Sequence, residues 1–286
     1  MVVTGATSGI GFATVSELVR QRTFVIAIGR SLEKCREAEE KIRHEYPEAK
    51  LIFLAADLSS QEDVVVLSDA IARTIRNEGR DSIDALIHIA GTFTSWYAST
   101  REGIETQFAV NHLAPFLLTH HLMPLLKASP AARVITMSSG SHYHTRIHWK
   151  DIMLKKHYNC LLAYKQSKLC NVLFSLELQR RTQNTNISIF ASDPGLVNTD
   201  MGLKNTSGIA KWVWSVRKNK GISPAEAARS MVWLAAETSI KNSDKLYWKY
   251  CRPKNPSRYS QNAEAALRLW RISEKMCGIN SEAFCL

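Results

Sequence analysis

The chain has 286 residues, 45% hydrophobic and 22% charged, the composition of a globular protein of one large or two smaller domains. It carries no run of about 18 apolar residues, no signal-peptide pattern and no repeat, and its six cysteines (Cys35, Cys160, Cys170, Cys251, Cys277, Cys285) form no CxxC pair, so an intracellular protein with reduced thiols is expected and a zinc site or disulfide framework is not. The net charge of +11 is uneven, with fifteen Lys/Arg against six Asp/Glu from Gly202 onward, a field that suits phosphate-bearing cofactors, acidic membrane surface or nucleic acid, or is simply a solvated basic face.

In chain order, Met1 to Thr4 reads as a short strand and Gly5-Ala6-Thr7-Ser8-Gly9-Ile10-Gly11 as a glycine-rich turn, with a helix from Phe12 to about Arg20. Glycines let the backbone approach a pyrophosphate, and a helix N-terminus offers free N–H groups and positive dipole. The spacing is Gly-x3-Gly-x-Gly, not the G-x-G-x-x-G of the general dinucleotide fingerprint. So few residues precede the turn that weakened cofactor affinity and stability are expected.

A strand over Phe24–Ile28 follows and ends at Gly29-Arg30. Arg30 stands nineteen residues after Gly11, where an NAD site would carry an acid for the ribose 2′-hydroxyl; an arginine there suits a 2′-phosphate, and its alternative reading is a surface residue at a helix start. The strand Leu51–Ala56 ends at Asp57-Leu58, placing Asp57 either at the cofactor edge or as a cap for the helix Glu62–Glu78. A buried-type strand from Ile83 ends in Ala90-Gly91. Strands alternating with helices imply a parallel, doubly wound sheet, whose ligands sit at the carboxyl ends of the strands.

Gly103–Lys127 is a long helical pattern carrying Asn111 and interrupted by Pro115, which suits either a freed carbonyl holding water or a locally satisfied polar residue. The strand Arg133–Met137 delivers Ser138-Ser139, and the next loop holds His142, His144 and His148, read as solvated histidines and not as a metal site. Tyr164 and Lys168 then stand four apart at the start of a helix whose apolar stripe is Leu169, Val172, Leu173 and Leu176. A fixed cation beside a phenol favours the phenolate and is expected to lower its pKa, though this spacing also occurs on many surface helices. A strand over Ile187–Ala191 leads to Asp193-Pro194-Gly195-Leu196-Val197-Asn198-Thr199, a turn placed to close over a cofactor. Ser223, Pro224 and Glu226 fill the N-cap, N1 and N3 positions of a further helix.

Taken together, Thr4-Gly5-x3-Gly9-Ile10-Gly11, Asp57-Leu58, Ala90-Gly91, Asn111, Ser139, Tyr164-x3-Lys168 and Pro194-Gly195 resemble, in order and spacing, the short-chain dehydrogenases/reductases. The finer pattern Ser167-Lys168-Leu169-x-Asn171-x-Leu173-Phe174 and Asp193-Pro194-Gly195-x-Val197 is similar to the retinol-dehydrogenase-like branch, and Leu269-Trp270 with Cys277-Gly278-Ile279 to polyprenol dehydrogenases within it. The resemblance implies an α/β fold: one Rossmann-type domain over 1–286 with a doubly wound parallel sheet, a substrate lid over 200–222 and a C-terminal extension over 240–286.

It also implies an NADP(H)-dependent oxidoreductase, with NAD(H) as the alternative cofactor, acting on a hydrophobic alcohol or carbonyl of retinoid or polyprenoid type. Tyr164 would be the general acid/base, Lys168 would tune it and hold the nicotinamide ribose, Ser139 would hold the substrate oxygen, and Asn111 would support a water relay. Cofactor contacts would come from Gly5, Ser8, Gly9, Ile10, Gly11, Arg30, Asp57, Leu58, Ala90, Gly91, Asn111, Tyr164, Lys168, Pro194, Gly195, Val197 and Thr199. No metal and no nucleic-acid partner is expected. The helices of Asn111 and Tyr164 would form a homodimer, with a membrane-associated monomer as the alternative. Relatives in this branch often carry an N-terminal membrane segment that this sequence lacks, so the expected location is cytoplasmic, or peripheral on endoplasmic reticulum or lipid droplets, with Trp212 and Trp214 among basic residues suited either to a lipid surface or to lid packing. The chain reads His88-Ile89-Ala90-Gly91 where the family usually has Asn-Asn-Ala-Gly, and Asp193 where histidine is common. The first of these motivates an alternative function, a non-catalytic NADP(H)-binding scaffold.

Overall fold

The computed structural model describes residues 1–198, 221–241 and 243–279. Short β-branched and aliphatic runs form the sheet: β1 (Val2–Thr4), β2 (Val25–Gly29), β3 (Leu51–Ala55), β4 (Ala85–His88), β5 (Arg133–Met137), β6 (Ser188–Asp193), β7 (Tyr247–Lys249) and β8 (Arg252–Pro253). Their order is β3-β2-β1-β4-β5-β6-β7-β8, parallel throughout except for the antiparallel β7–β8 hairpin. The order reverses between β1 and β4, which opens a crevice beyond the carboxyl ends of those strands. Although only three residues long, β1 is fully buried and registers with both neighbours, Val3 opposite Ala27 on one side and Ile87 on the other.

Helices cover both faces. One face holds α1 (Gly9–Arg20), α2 (Leu32–Glu45) and α7 (Pro224–Ala236) over a core that includes Val15, Leu18, Ala27, Ile87, Phe190 and Met231. The other holds α3 (Gln61–Asn77), α5 (Ala114–Ala128) and α6 (Cys160–Arg181) over Ile26, Leu86, Leu117, Val134, Val172 and Phe174. Local chemistry sets the helix starts: Ser31, Ser60 and Asn159 accept the N–H three residues on, and Ser223 with Glu226 forms the expected capping box. Because Ser8 is the extended residue before α1, that helix starts at Gly9, earlier than the expected Phe12.

The stretch expected as one long helix is interrupted. A turn of α-helix, α4 (Thr106–Phe108), passes through a π-helical turn over Ala109–Leu113 into α5. Pro115 has no N–H for the carbonyl four residues back, which is that of Asn111, so the backbone changes register there. At the far end, β7 and β8 extend the sheet and α8 (Ala263–Met276) packs against α5 and α6. Its Trp270, 1% exposed, stands edge-on to Phe116 at 4.9 Å and stacks on Phe174 at 5.9 Å. α8 thus covers part of α6, and its Trp270 reaches Phe116 of α5. Among the described residues no helix is long and apolar enough to cross a membrane.

Candidate functional site

The glycine-rich turn sits in the crevice between β1 and β4. Gly5 (φ +71°) and Gly9 (φ +55°) adopt conformations that L side chains avoid. A Cβ on Gly5 would lie 2.7 Å from the Ala90 Cα, and one on Gly11 would lie 2.0 Å from the Gly5 carbonyl oxygen. The turn and the end of β4 are thus in backbone contact, and the Thr4 hydroxyl joins them by accepting the N–H groups of Ile89 (3.1 Å) and Ala90 (3.2 Å). Ser8 is exposed and makes no capping bond, while the first turn of α1 contains no acid. The N–H groups around buried Ile10 are in a position to meet an anion.

Arg30 is exposed immediately beyond β2, and Asp57 is exposed beyond β3. The reading of Asp57 as a helix cap is corrected, because Ser60 caps α3 and the Asp57 carboxylate instead accepts the N–H of Ser59 at 3.0 Å. Leu58 packs partly buried against the core. After Gly91 the chain is held by Asn111, whose side chain donates to the Thr92 carbonyl (3.1 Å) and to the Ser167 hydroxyl (2.9 Å) and accepts the Thr92 N–H (2.7 Å). Ser167 in turn donates to the Tyr164 carbonyl at 2.8 Å.

Tyr164, Lys168 and Ser139 converge at the carboxyl end of β5. The Tyr164 hydroxyl pairs with the Ser139 side chain, and its ring meets Phe93 edge-on at 5.8 Å. Lys168, 2% exposed, donates to the Met137 carbonyl at 3.2 Å, with its ammonium 5.8 Å from the Tyr164 ring centre. Ser138 is engaged elsewhere, donating to the Lys168 carbonyl at 2.8 Å. The expected lowering of the tyrosine is corrected: burial pushes the Tyr164 phenol up to about 12, against a smaller lowering by its bond to Ser139, and the negative charge of Asp193 raises it further. Burial lowers the Lys168 ammonium to about 8. Desolvation thus outweighs the cation four residues away.

Three large apolar side chains near these residues in the chain are exposed. Trp96 is exposed on the Phe93 loop, Leu161 one turn before Tyr164, and Leu196 beside Gly195. Beneath the loop, the Tyr158 hydroxyl meets Glu105 (3.0 Å), Gln107 (2.8 Å) and Thr94 (3.2 Å). Val197 and Asn198 are bridged to Ile222. Thr199 and the expected lid, apart from Gly221 and Ile222, lie outside the described residues, as do Trp212 and Trp214.

The family profile for short chain dehydrogenase matches residues 1–209. The chain belongs to the short-chain dehydrogenase family. It is an oxidoreductase, in the retinol-dehydrogenase-like branch: it is 31% identical to Retinol dehydrogenase 14 of Mus musculus, over 98% of this chain and 86% of the relative, and 33% identical to human Retinol dehydrogenase 13, over 98% and 85%. Among solved structures, an uncharacterised protein from Mycobacterium paratuberculosis superposes with a TM-score of 0.75 at 29% identity, covering 98% of this chain and 93% of that one. A short chain dehydrogenase from Escherichia coli CFT073 complexed with NADPH superposes with a TM-score of 0.67 at 22% identity, covering 88% and 95%.

This short-chain dehydrogenase replaces the usual side chains of the β4 turn by other means. His88 is buried, bonded to the Thr119 hydroxyl at 2.8 Å and lowered to about 3 by desolvation, while Thr4 holds the following backbone. Of the loop histidines, His144 and His148 are exposed but His142 is fully buried. Its Nε2 accepts the Ser257 N–H at 3.0 Å, which leaves Nδ1–H to donate to the Ser139 carbonyl at 2.8 Å. Sequence reasoning gave no role to Thr4, Phe93, His142 or Ser167. Ser167 could have been found, since its spacing from Tyr164 puts its hydroxyl in reach of that carbonyl; His142 could not, because Ser257 is remote in the chain.

Proposed function

We propose that the protein is an NADP(H)-dependent oxidoreductase that interconverts a hydrophobic alcohol, of retinoid or polyprenoid type, and its carbonyl compound. The observation that carries this reading is the buried Tyr164 paired with Ser139 beside Lys168, next to a backbone cradle closed to side chains at Gly5 and Gly11. The cradle fits a dinucleotide: positive-φ glycines and the acid-free start of α1 with Ser8 suit a pyrophosphate, Arg30 suits a 2′-phosphate, and Asp57 with Leu58 suits an adenine edge. Ala90, Gly91, Pro194, Gly195, Val197 and Thr199 complete the cofactor contacts in this reading. NADP(H) bound there supplies or accepts the hydride.

Ser139 and Tyr164 hold the substrate oxygen between them. Tyr164, kept protonated by burial, donates its proton to that oxygen in the reduction direction and takes it back in oxidation. Lys168 keeps a positive charge beside the site and, with Asn111 and Ser167, orders the route by which the phenol is reprotonated. Trp96, Leu161 and Leu196 expose apolar area for a long hydrocarbon, supporting retinoid or polyprenoid substrates. The same exposed apolar groups, with the basic last third of the chain, support peripheral contact with a lipid surface. The test is a panel of aldehydes of increasing hydrocarbon length, assayed with NADPH and NADH. NADPH-linked reduction rising with apolar length is the expected result. NADPH binding without turnover across the panel would replace this reading by the scaffold.

A further inference from the structure

Ser139 opens a turn of 3-10 helix over Gly140–His144, and its carbonyl accepts two N–H groups of His142, the backbone N–H at 3.1 Å and the ring Nδ1–H at 2.8 Å. The His142 ring is 0% exposed and touches two aromatic rings, Tyr143 at 4.2 Å and Tyr247 of β7 at 4.9 Å between centres. Its Nε2 accepts the Ser257 N–H at 3.0 Å, which fixes the tautomer and the ring orientation together. Ser257 is itself locked, because its carbonyl accepts the Ser260 hydroxyl at 2.8 Å and its own hydroxyl accepts the Ser260 N–H at 3.2 Å. Beside it the Tyr143 hydroxyl donates to the Asn255 carbonyl, and the Lys254 ammonium lies 4.6 Å from the centre of the Tyr143 ring. These C-terminal residues follow the stretch 1–209 that matches the family profile, so chain outside that match reaches the back of the serine that faces Tyr164.

We propose that His142 is a positioning residue for Ser139: its ring, fastened at Ser257 by the C-terminal segment, grips the Ser139 carbonyl and so aims the serine hydroxyl at the substrate oxygen. The proposal rests on reading Ser139 as a group that holds that oxygen. A short 3-10 turn has poor hydrogen-bond geometry of its own, and the buried ring gives the Ser139 carbonyl a second donor that is anchored outside the turn. Without it the carbonyl keeps one donor, and the peptide plane that carries Ser139 can tilt. A misplacement of about 1 Å at a reacting group can lower a rate by up to about a hundredfold. The cradle at Gly5 and Gly11 is held by other contacts, among them the Thr4 hydroxyl, so cofactor affinity should not depend on His142.

His142→Phe keeps a ring against Tyr143 and Tyr247 and removes both hydrogen bonds of the imidazole, whereas His142→Asn keeps an amide N–H close to where Nδ1 stands and loses the acceptor for Ser257. In NADPH-linked carbonyl reduction, His142→Phe should lower kcat about tenfold, the worth of one hydrogen bond, at unchanged NADPH affinity. His142→Asn should recover most of that kcat although it melts below the unmodified protein. A kcat that simply follows melting temperature across the two variants overturns the assignment, since the ring would then serve folding alone. In the Ser139→Ala background, adding His142→Phe should cost no further kcat, because both changes act through one group; additive losses overturn it. Nitrogen–proton NMR correlation of the histidine rings, with His142 assigned through the signals lost in His142→Asn, needs no turnover. It should show the neutral Nδ1–H tautomer, and an Nε2–H tautomer overturns the assignment. Full turnover in Ser139→Ala removes the reading of Ser139 and the proposal with it, whereas full turnover in His142→Phe beside an impaired Ser139→Ala overturns the assignment of His142 alone.

Discussion

Replacing Asn111 by alanine tests the join between the cofactor turn and the Tyr164 helix. The side chain makes three hydrogen bonds, two to the backbone of Thr92 and one to Ser167, and is 0% exposed. Truncation leaves the Thr92 N–H and carbonyl without partners in a half-buried position. At about 1–3 kcal/mol for each unpaired group, reduced by partial access to water, the loss is about 2–4 kcal/mol, or roughly 4 to 10 °C in melting temperature. Asn111→Asp keeps the acceptor for the Thr92 N–H but buries a carboxylate facing the Thr92 carbonyl, so it should melt no higher than Asn111→Ala. Because Ser167 leads on to the Tyr164 carbonyl, turnover should also fall by about tenfold to a hundredfold through misplacement of the phenol. Differential scanning fluorimetry and steady-state kinetics on the three proteins read both effects. An Asn111→Ala protein that melts with the unmodified one would refute the reasoning, since its hydrogen bonds could then hold nothing together.

His88 and His112 are buried neutral, each lowered from 6.5 to about 3 by desolvation, so their stabilisation is complete above the unfolded value and is lost as pH falls from about 6.5 toward 3. Linkage gives a loss of about 1.4 kcal/mol per pH unit for each, and urea denaturation at descending pH should show a slope that His88→Asn and His112→Asn flatten; an unchanged slope in the double variant counts against neutral burial. Arg30→Ala should weaken NADPH binding by about tenfold to a hundredfold and leave NADH little changed, as expected for loss of one charge-assisted phosphate contact; equal effects on both cofactors would remove the 2′-phosphate reading. Trp270→Ala should cost about 3–5 kcal/mol because the indole fills the junction of α5, α6 and α8. Light scattering should give a monomer, since α8 covers part of the α6 face that a dimer through these helices would need, and a dimer crosslinked through α6 would count against this.

Features written in short stretches were legible in the sequence. The glycine spacing with Thr4, the capping box at Ser223, and the apolar stripe behind Tyr164 each depend on neighbours a few residues away, and the strand Arg133–Met137 matches the structure end for end. What escaped depends on partners remote in the chain. His142 reads as a solvated loop residue until Ser257 folds onto it. The turn at Tyr250-Cys251 has two left-handed residues but no glycine or asparagine to announce it. The rise in the Tyr164 pKa is invisible in a Tyr-x3-Lys spacing, which shows the nearby cation but not the burial that outweighs it.

The central claim is that Tyr164 moves the proton while the cradle holds the cofactor, and the most direct measurement is kcat/KM for NADPH-linked carbonyl reduction in Tyr164→Phe beside NADPH binding by the same protein. Tyr164 and Phe differ only by the hydroxyl that meets Ser139. The account predicts retained NADPH affinity with kcat/KM reduced by about 10²–10⁴, the range for loss of a general acid. Unchanged kcat/KM in Tyr164→Phe would contradict it.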